Sequence, residues 1–209
     1  MNQRKFDKLQ AHYLKYFGTE EEPKILHSLV DEPGTLHIDM ICLRPTASRP
    51  YQVLATIGAS DYPMKPKPHS LTNRNEYVTF LPADWDLSKP ECRWIVSLLA
   101  MVAHYPHDAR TMISYSHTMD CSAQMEDLQS DTFNMCGAGL LFPQVCEDPN
   151  ILRCKTGLFE TVTILQMMPL TRAEMDDIIK RRKQGHPDWT DMFYPERGSD
   201  SRFLCACKR

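Results

Sequence analysis

No uninterrupted apolar run in these 209 residues approaches the roughly 20 that a membrane-spanning helix needs. No apolar stretch follows the charges of the opening MNQRKFDKLQ, so it does not read as a secretory signal, and a cytoplasmic location is expected. Positive charge is not in excess: 24 Lys and Arg stand against 27 Asp and Glu, a formal net charge of -3. That balance argues against a nucleic-acid binder, which usually shows a basic face. CxxC pairs are absent, as are internal repeats and low-complexity blocks. The eight cysteines therefore read as reduced thiols, several of them core filler, and not as a disulfide framework. Cys205 and Cys207 lie one residue apart, a poor spacing for a zinc site. What remains is ordinary for a soluble globular chain: 42% hydrophobic and 24% charged residues. A chain of this length buries a sizeable core without disulfides or metal, roughly 70% of its unfolded surface.

Periodicity orders the chain into one domain over residues 1–195 and a polar tail over 196–209. Phe6, Leu9, Tyr13, Tyr16 and Phe17 fall on one stripe at helical spacing, and Gly18 is a stop. Residues 24–30 suit a short helix or a strand. Strands are expected over 35–43 and 51–57, joined as a hairpin across a proline-bearing loop, and over 76–81, closed by Pro82. Ser88 and Glu91 have the spacing of a capping box before a helix bearing Trp94, Ile95, Leu98, Leu99 and Val102, expected to end before Pro106. A strand is expected over 111–118, and a short one over 139–145. Residues 158–168 read as a central strand, apolar on both faces. Thr171 and Glu174 repeat the capping-box spacing ahead of a helix with Met175, Ile178 and Ile179 on its buried edge and Gly185 at its end. Strands and helices do not alternate as regular βαβ units. The fold class is therefore α+β, a mixed, mainly antiparallel sheet covered by helices.

Catalytic patterns are weak throughout. Ser60 follows a strand and Gly58, but Tyr62 stands where a nucleophile elbow needs its second glycine. His104 and His107 have chelating spacing only on a continuous helix, and Pro106 lies between them. His117 lies near Cys121, but a Cys/His nucleophile also needs a cleft and a lowered thiol pKa. Lys180 to Lys183 suits the last turn of a helix. No catalytic or metal-ligating residue is assigned, and no cofactor is expected. One asymmetry does point to a function. Between Arg110 and Arg153 there is no Lys or Arg, while Asp120, Glu126, Asp127, Asp131, Glu147 and Asp148 accompany Met112, Met119, Met125 and Met135. Acidic charge steers a basic partner and flexible methionines adapt to it, so Glu126, Asp127 and Asp131 are read as partner-binding.

Several short runs together resemble the suppressor-of-fused family. They are Leu36-His37-Ile38-Asp39-Met40, Arg44-Pro45-Thr46, Tyr51, the stretch from Ala55 to Met64, Asn75-Glu76-Tyr77, Leu81-Pro82-Ala83-Asp84-Trp85, Trp94-Ile95 with Leu98-Leu99, His117-Thr118, and Pro169-Leu170-Thr171 with Glu174. The resemblance covers about Leu26 to Gly185 and is to the short, single-domain members found in bacteria. Ala59, Ser116 and Asn75 depart from the family pattern, Ser116 standing where a Gly precedes His-Thr. The resemblance implies protein binding and not catalysis. Animal members sequester transcription factors, and short bacterial members are thought to be immunity proteins that neutralise a partner toxin. It also implies a groove rim at Asp61, Tyr62, Met64, Trp85 and His117. The expected function is a toxin-neutralising binding domain with another protein as partner, and neither nucleic acid nor membrane. The alternative is a Cys/His- or metal-dependent hydrolase.

Overall fold

A computed structural model describes residues 2–27, 36–65, 72–125, 135–143 and 148–193. Along them run α1 (Gln3–Phe17), β1 (Lys24–Leu26), β2 (Asp39–Leu43), β3 (Tyr51–Ile57) and β4 (Asn75–Pro82). Then come α2 (Trp94–Asp108), β5 (Thr118–Asp120), α3 (Ser122–Met125), β6 (Met135–Leu141), β7 (Arg153–Lys155), β8 (Thr161–Thr171) and α4 (Arg172–Lys183). Short 3-10 turns fill Ala59–Asp61, Pro90–Cys92, Pro149–Leu152 and Thr190–Phe193.

The strands make one eight-stranded sheet in the order β1-β2-β3-β4-β8-β6-β5, with β7 paired to the start of β8. β4 and β8 pair in parallel, Asn75 opposite Thr163, and the other pairs are antiparallel. This is the expected α+β class with a mixed, mainly antiparallel sheet. β8 is central, as its two apolar faces require. Its odd and even positions serve different layers. Val162 and Ile164 pack with Leu9, Tyr13 and Phe17 of α1, whereas Leu165 and Met167 pack with Trp94, Leu98 and Val102 of α2. Farther along, Met168 and Leu170 return to the α1 side and meet Met175 and Ile178 of α4. Pro169 lies beyond Gln166, the last residue of β8 paired to β4, so this part of the strand carries a ladder to β6 only.

Caps account for three helix ends. Asn2 accepts from the Arg4 N–H at the start of α1, and Gly18, at φ 65, closes it. Thr171 and Glu174 form the full reciprocal capping box on α4. The box expected at Ser88 does not form: Ser88 donates to Asp86 at 2.7 Å, and α2 starts six residues later, after a 3-10 turn. Nor does α2 stop before Pro106. It continues to Asp108 with Pro106 buried, because the apolar stripe through Val102 and Ala103 keeps packing on the sheet and outweighs one lost hydrogen bond. Ile179 is 40% exposed and not on the buried edge of α4.

The strand expected over 111–118 is mostly irregular, with β5 beginning only at Thr118. The reason is a turn at Ser116, whose φ of 65 is left-handed. A family glycine at this position has a physical basis, since a side chain there strains the backbone. Ser116→Gly should therefore raise stability by about 0.5–1 kcal/mol, the relieved strain being partly offset by greater freedom of the unfolded chain. Urea denaturation reads this directly, and a loss of stability would show that the serine side chain holds the turn.

Candidate functional site

The loop after β3 is built around one buried carboxylate. Glu76 is inaccessible to solvent, and its Oε1 accepts from the Gly58 N–H at 3.0 Å, the Ser60 N–H at 2.9 Å and the Ser60 hydroxyl at 2.6 Å. Oε2 accepts from the Thr56 hydroxyl at 2.6 Å. Burial raises its pKa, against the pull of these four donors. Gly58 has φ 123, and a Cβ there would run into the His37 carbonyl. The outer side of the loop is fastened too. Arg74 donates to the Ser60 and Asp61 carbonyls, at 2.5 and 2.7 Å, and Lys5 pairs with Asp61 at 3.4 Å. Asp61 thus braces α1, while Glu76 satisfies the Gly58 and Ser60 N–H groups and the Gly58 carbonyl accepts from the Asp61 N–H.

From this loop Tyr62 projects, 54% exposed, edge-on to His107 at 6.2 Å between ring centres. His107 bonds the Ala59 carbonyl at 3.2 Å. The loop is thereby tied to the end of α2, which the continuation through Pro106 makes possible. Met64 is buried, beside Asn75, and Asn75 donates to the Ile113 carbonyl at 2.8 Å. His117 folds back on its own turn, its ring bonded to the backbone of Ser114 at 3.0 Å. Tyr62 and His117 therefore lie toward one end of α2, with Tyr105 between α2 and the His117 turn.

Trp85 is elsewhere. It follows the far end of β4, and the strand's seven steps of about 3.3 Å put about 23 Å between that end and the Glu76 end. There its ring stands edge-on to Trp94, its indole N–H donates to the Cys92 carbonyl, and it lines a polar recess with Gln52, Arg44 and Asp86. The structure does not bring Trp85 together with Tyr62 and His117. Glu126, Asp127 and Asp131 lie outside the described residues.

The feature that sequence periodicity did not reveal is a groove of about 370 Å³ between α2 and the segment from β5 to α3. Met101, His104, Tyr105 and Asp108 line one side, Met119, Asp120, Cys121 and Gln124 the other. β5 is the terminal strand of the sheet. The groove borders the stretch without Lys or Arg, and Met119 and Asp120 belong to both. Met125 and Met135 of the same stretch are core residues instead. Asp120 pairs with Arg172 at 3.0 Å, and that bond, with two from Ser122, lowers its pKa to about 2. The sequence signal for the groove was the pairing of methionine and acid, but nothing in it placed that segment against α2, where Met101, His104 and Tyr105 lie before Pro106 and Asp108 joins them because the helix runs on.

The groove's chemistry suits contact better than bond cleavage. Burial pushes the Cys121 thiol up to about 11, with Asp120 adding to the effect, so it stays protonated. Burial lowers His104. Cys154, also pushed up to about 11 by burial, and Cys42 and Cys136 are likewise buried and raised. Among the described residues no three of His, Cys, Asp and Glu gather as metal ligands would.

A family model described as Suppressor of fused protein (SUFU) matches residues 34–192. Among solved structures, the chain is similar to one in the Sufu-Fu complex crystal structure, with TM-score 0.58 and 14% identity over 84% of this chain and 79% of that one. A putative SUFU homolog from Neisseria gonorrhoeae gives TM-score 0.56 and 14% identity over 88% and 92% of the two chains. Drosophila Suppressor of Fused gives 0.52 and 15%, over 82% of this chain but 42% of that one. At such identities the likeness is one of fold. Comparison with curated protein sequences finds no match.

Proposed function

This chain belongs to the suppressor-of-fused family, and from that premise we propose that it acts by binding another protein in the groove between α2 and β5, without catalysing a reaction. One observation carries the reading. The groove joins an apolar, methionine-bearing floor to a border that carries Asp108 and Asp120, the latter paired with Arg172, and Cys121, the one thiol among its described lining residues, is held in the unreactive form. Flexible thioethers adapt to a partner's surface while the acidic border speeds encounter with a basic one. The fold's relative in the Sufu-Fu complex is itself crystallised with a protein partner.

As to the class of partner, we favour a toxin that this chain neutralises inside the producing cell, the role of an immunity protein. The likeness to a short bacterial homolog, and the steering charge, support that assignment. The test is co-expression with the toxin-like protein encoded beside this gene, followed by titration of the purified pair. Protection of growth and one-to-one binding are expected. Met101→Lys should weaken affinity at least about 10-fold and abolish protection, because a buried unpaired charge replaces an apolar contact. The folded state should survive, as circular dichroism would show. Asp108→Lys should chiefly slow association and reduce its salt dependence. Full affinity in both variants would remove the groove from the interface. Binding without protection would leave protein recognition standing and overturn the toxin assignment.

A further inference from the structure

The two most exposed large apolar side chains among the described residues stand next to each other. Leu158 is 91% exposed and Phe159 97%. They occupy the turn between β7 and β8, and that turn is braced. The Thr156 and Gly157 N–H groups both donate to the Glu160 carbonyl, at 3.1 and 3.2 Å, and the Thr156 hydroxyl donates to the Glu160 carboxylate at 2.6 Å. That carboxylate is held in turn by Lys5 at 3.2 Å and Arg74 at 3.1 Å. Lys8 donates to the Thr156 carbonyl. An apolar pair on a flexible loop would collapse onto nearby surface. Here the backbone prevents it, so the tip is presented to solvent already ordered and loses little freedom on docking.

The base of the tip is cationic. Lys5, Lys8, Arg74, Arg153 and Lys155 surround it, against Asp61 and Glu160, on a chain whose overall charge is negative. An occupant for this tip should therefore offer an apolar recess with an acidic border. The same chain carries one. The α2–β5 groove has an apolar floor containing Met101 and Met119, and Asp108 and Asp120 stand at its border, Asp120 sharing its charge with Arg172. Its volume of about 370 Å³ lies within the range of about 300–1,000 Å³ that admits a small ligand, enough to accept a Leu and a Phe side chain. The tip is bolted to α1 through Lys5 and Lys8, whereas the groove lies on the α2 side of the sheet against its terminal strand. One molecule cannot fold its own tip into its own groove.

We propose that Leu158 and Phe159 of one copy seat in the α2–β5 groove of a second copy. The contact joins two different surfaces, so association is head-to-tail and each copy keeps one unused surface at the end of a chain or closes a ring. The interface is small, so association is reversible and weak, and the acidic and basic borders make it sensitive to salt. Self-association needs no foreign partner, so its failure would not touch the binding role proposed above, nor would failure of that role touch it.

Sedimentation velocity from about 5 to 500 µM spans the range in which so small an interface assembles. The sedimentation coefficient should rise with concentration, and less so in 0.5 M salt. Phe159→Asp removes the tip and leaves the groove; Met101→Lys does the reverse. Each alone should remain monomeric, while an equimolar mixture should form a heterodimer and nothing larger, because one competent tip meets one competent groove. If Met101→Lys unfolds, Asp108→Lys takes its place, with at least a severalfold weaker association expected. A monomer at every concentration, association that survives Phe159→Asp, or a mixture that fails to pair would each overturn the proposal. So would a monomer whose Phe159-dependent binding is to phosphatidylglycerol vesicles, which would assign the tip to a lipid surface.

Discussion

Glu76→Leu should cost about 3–5 kcal/mol of folding stability, because the substitution strands several buried donors at once. The Gly58 and Ser60 N–H groups have no route to water in the folded protein, and the Ser60 hydroxyl points at the same carboxylate oxygen. Leucine also places a branched apolar group where polar groups converge. Glu76→Gln should cost far less, about 1 kcal/mol or under. Its carbonyl oxygen can take the three bonds of Oε1, and the Thr56 hydroxyl can turn from Oε2 toward the Tyr77 carbonyl, 3.4 Å away, while it accepts from the new amide. The pair also differs in pH response. Burial raises the pKa of Glu76 in the folded state, so the unfolded chain sheds this proton first as pH rises. The stability that Glu76 contributes is therefore full below the ordinary glutamate range, declines as pH rises to the folded pKa, and is level beyond it. Glu76→Gln should abolish that decline. Chemical denaturation of both variants from pH 4 to 8 checks both statements. Equal losses for Leu and Gln would mean that charge, and not hydrogen-bond geometry, holds the loop.

Trp189→Ala should remove about 3–5 kcal/mol, the range found when a large buried aromatic is truncated and its cavity cannot close. Trp189 is fully buried among Leu141, Met168, Leu170, Met175 and Ile178, and its indole N–H donates to the Ser116 carbonyl at 2.9 Å. Its six-membered ring lies on Gly139 of β6 so closely that a Cβ there would overlap it. The contact is specific to that glycine, and two further results follow. Gly139→Val should destabilise the protein by several kcal/mol through overpacking, and Gly139→Ala by less. In the Trp189→Ala background the Gly139→Val change should become nearly neutral, because the cavity now receives the new methyl groups. A thermal or urea double-mutant cycle measures this coupling. Strict additivity of the two changes would show that Trp189 and Gly139 are not in contact. The effect should also reach the β5 edge, since Ser116 precedes Thr118 by two residues.

Much of this was legible in local sequence. The stripe of Leu9, Tyr13 and Phe17, and the box of Thr171 and Glu174, each specify an element within one or two turns of chain, and the apolar 158–168 run marks a central strand, which the structure places at Thr161–Thr171 with Leu158 and Phe159 in the preceding turn. Two signals were present but silent. A glutamate inside the otherwise apolar NEYVTFLP strand marked a buried polar centre, and the Gly137–Gly139 spacing in β6 marked a close approach. Neither names its partner. Glu76 meets Ser60 across a turn of the sheet, and Gly139 meets Trp189 fifty residues later.

Sequence alone was enough for the α+β class, the family resemblance, and most helices and strands, because periodicity, caps and composition act between residues close in the chain. The parallel pairing of β4 with β8, the passage of α2 through Pro106, the separation of Trp85 from Tyr62 and the α2–β5 groove arose only on folding. Each depends on which distant apolar surfaces meet, and a single lost helix hydrogen bond or a strained serine is tolerated when that larger burial outweighs it.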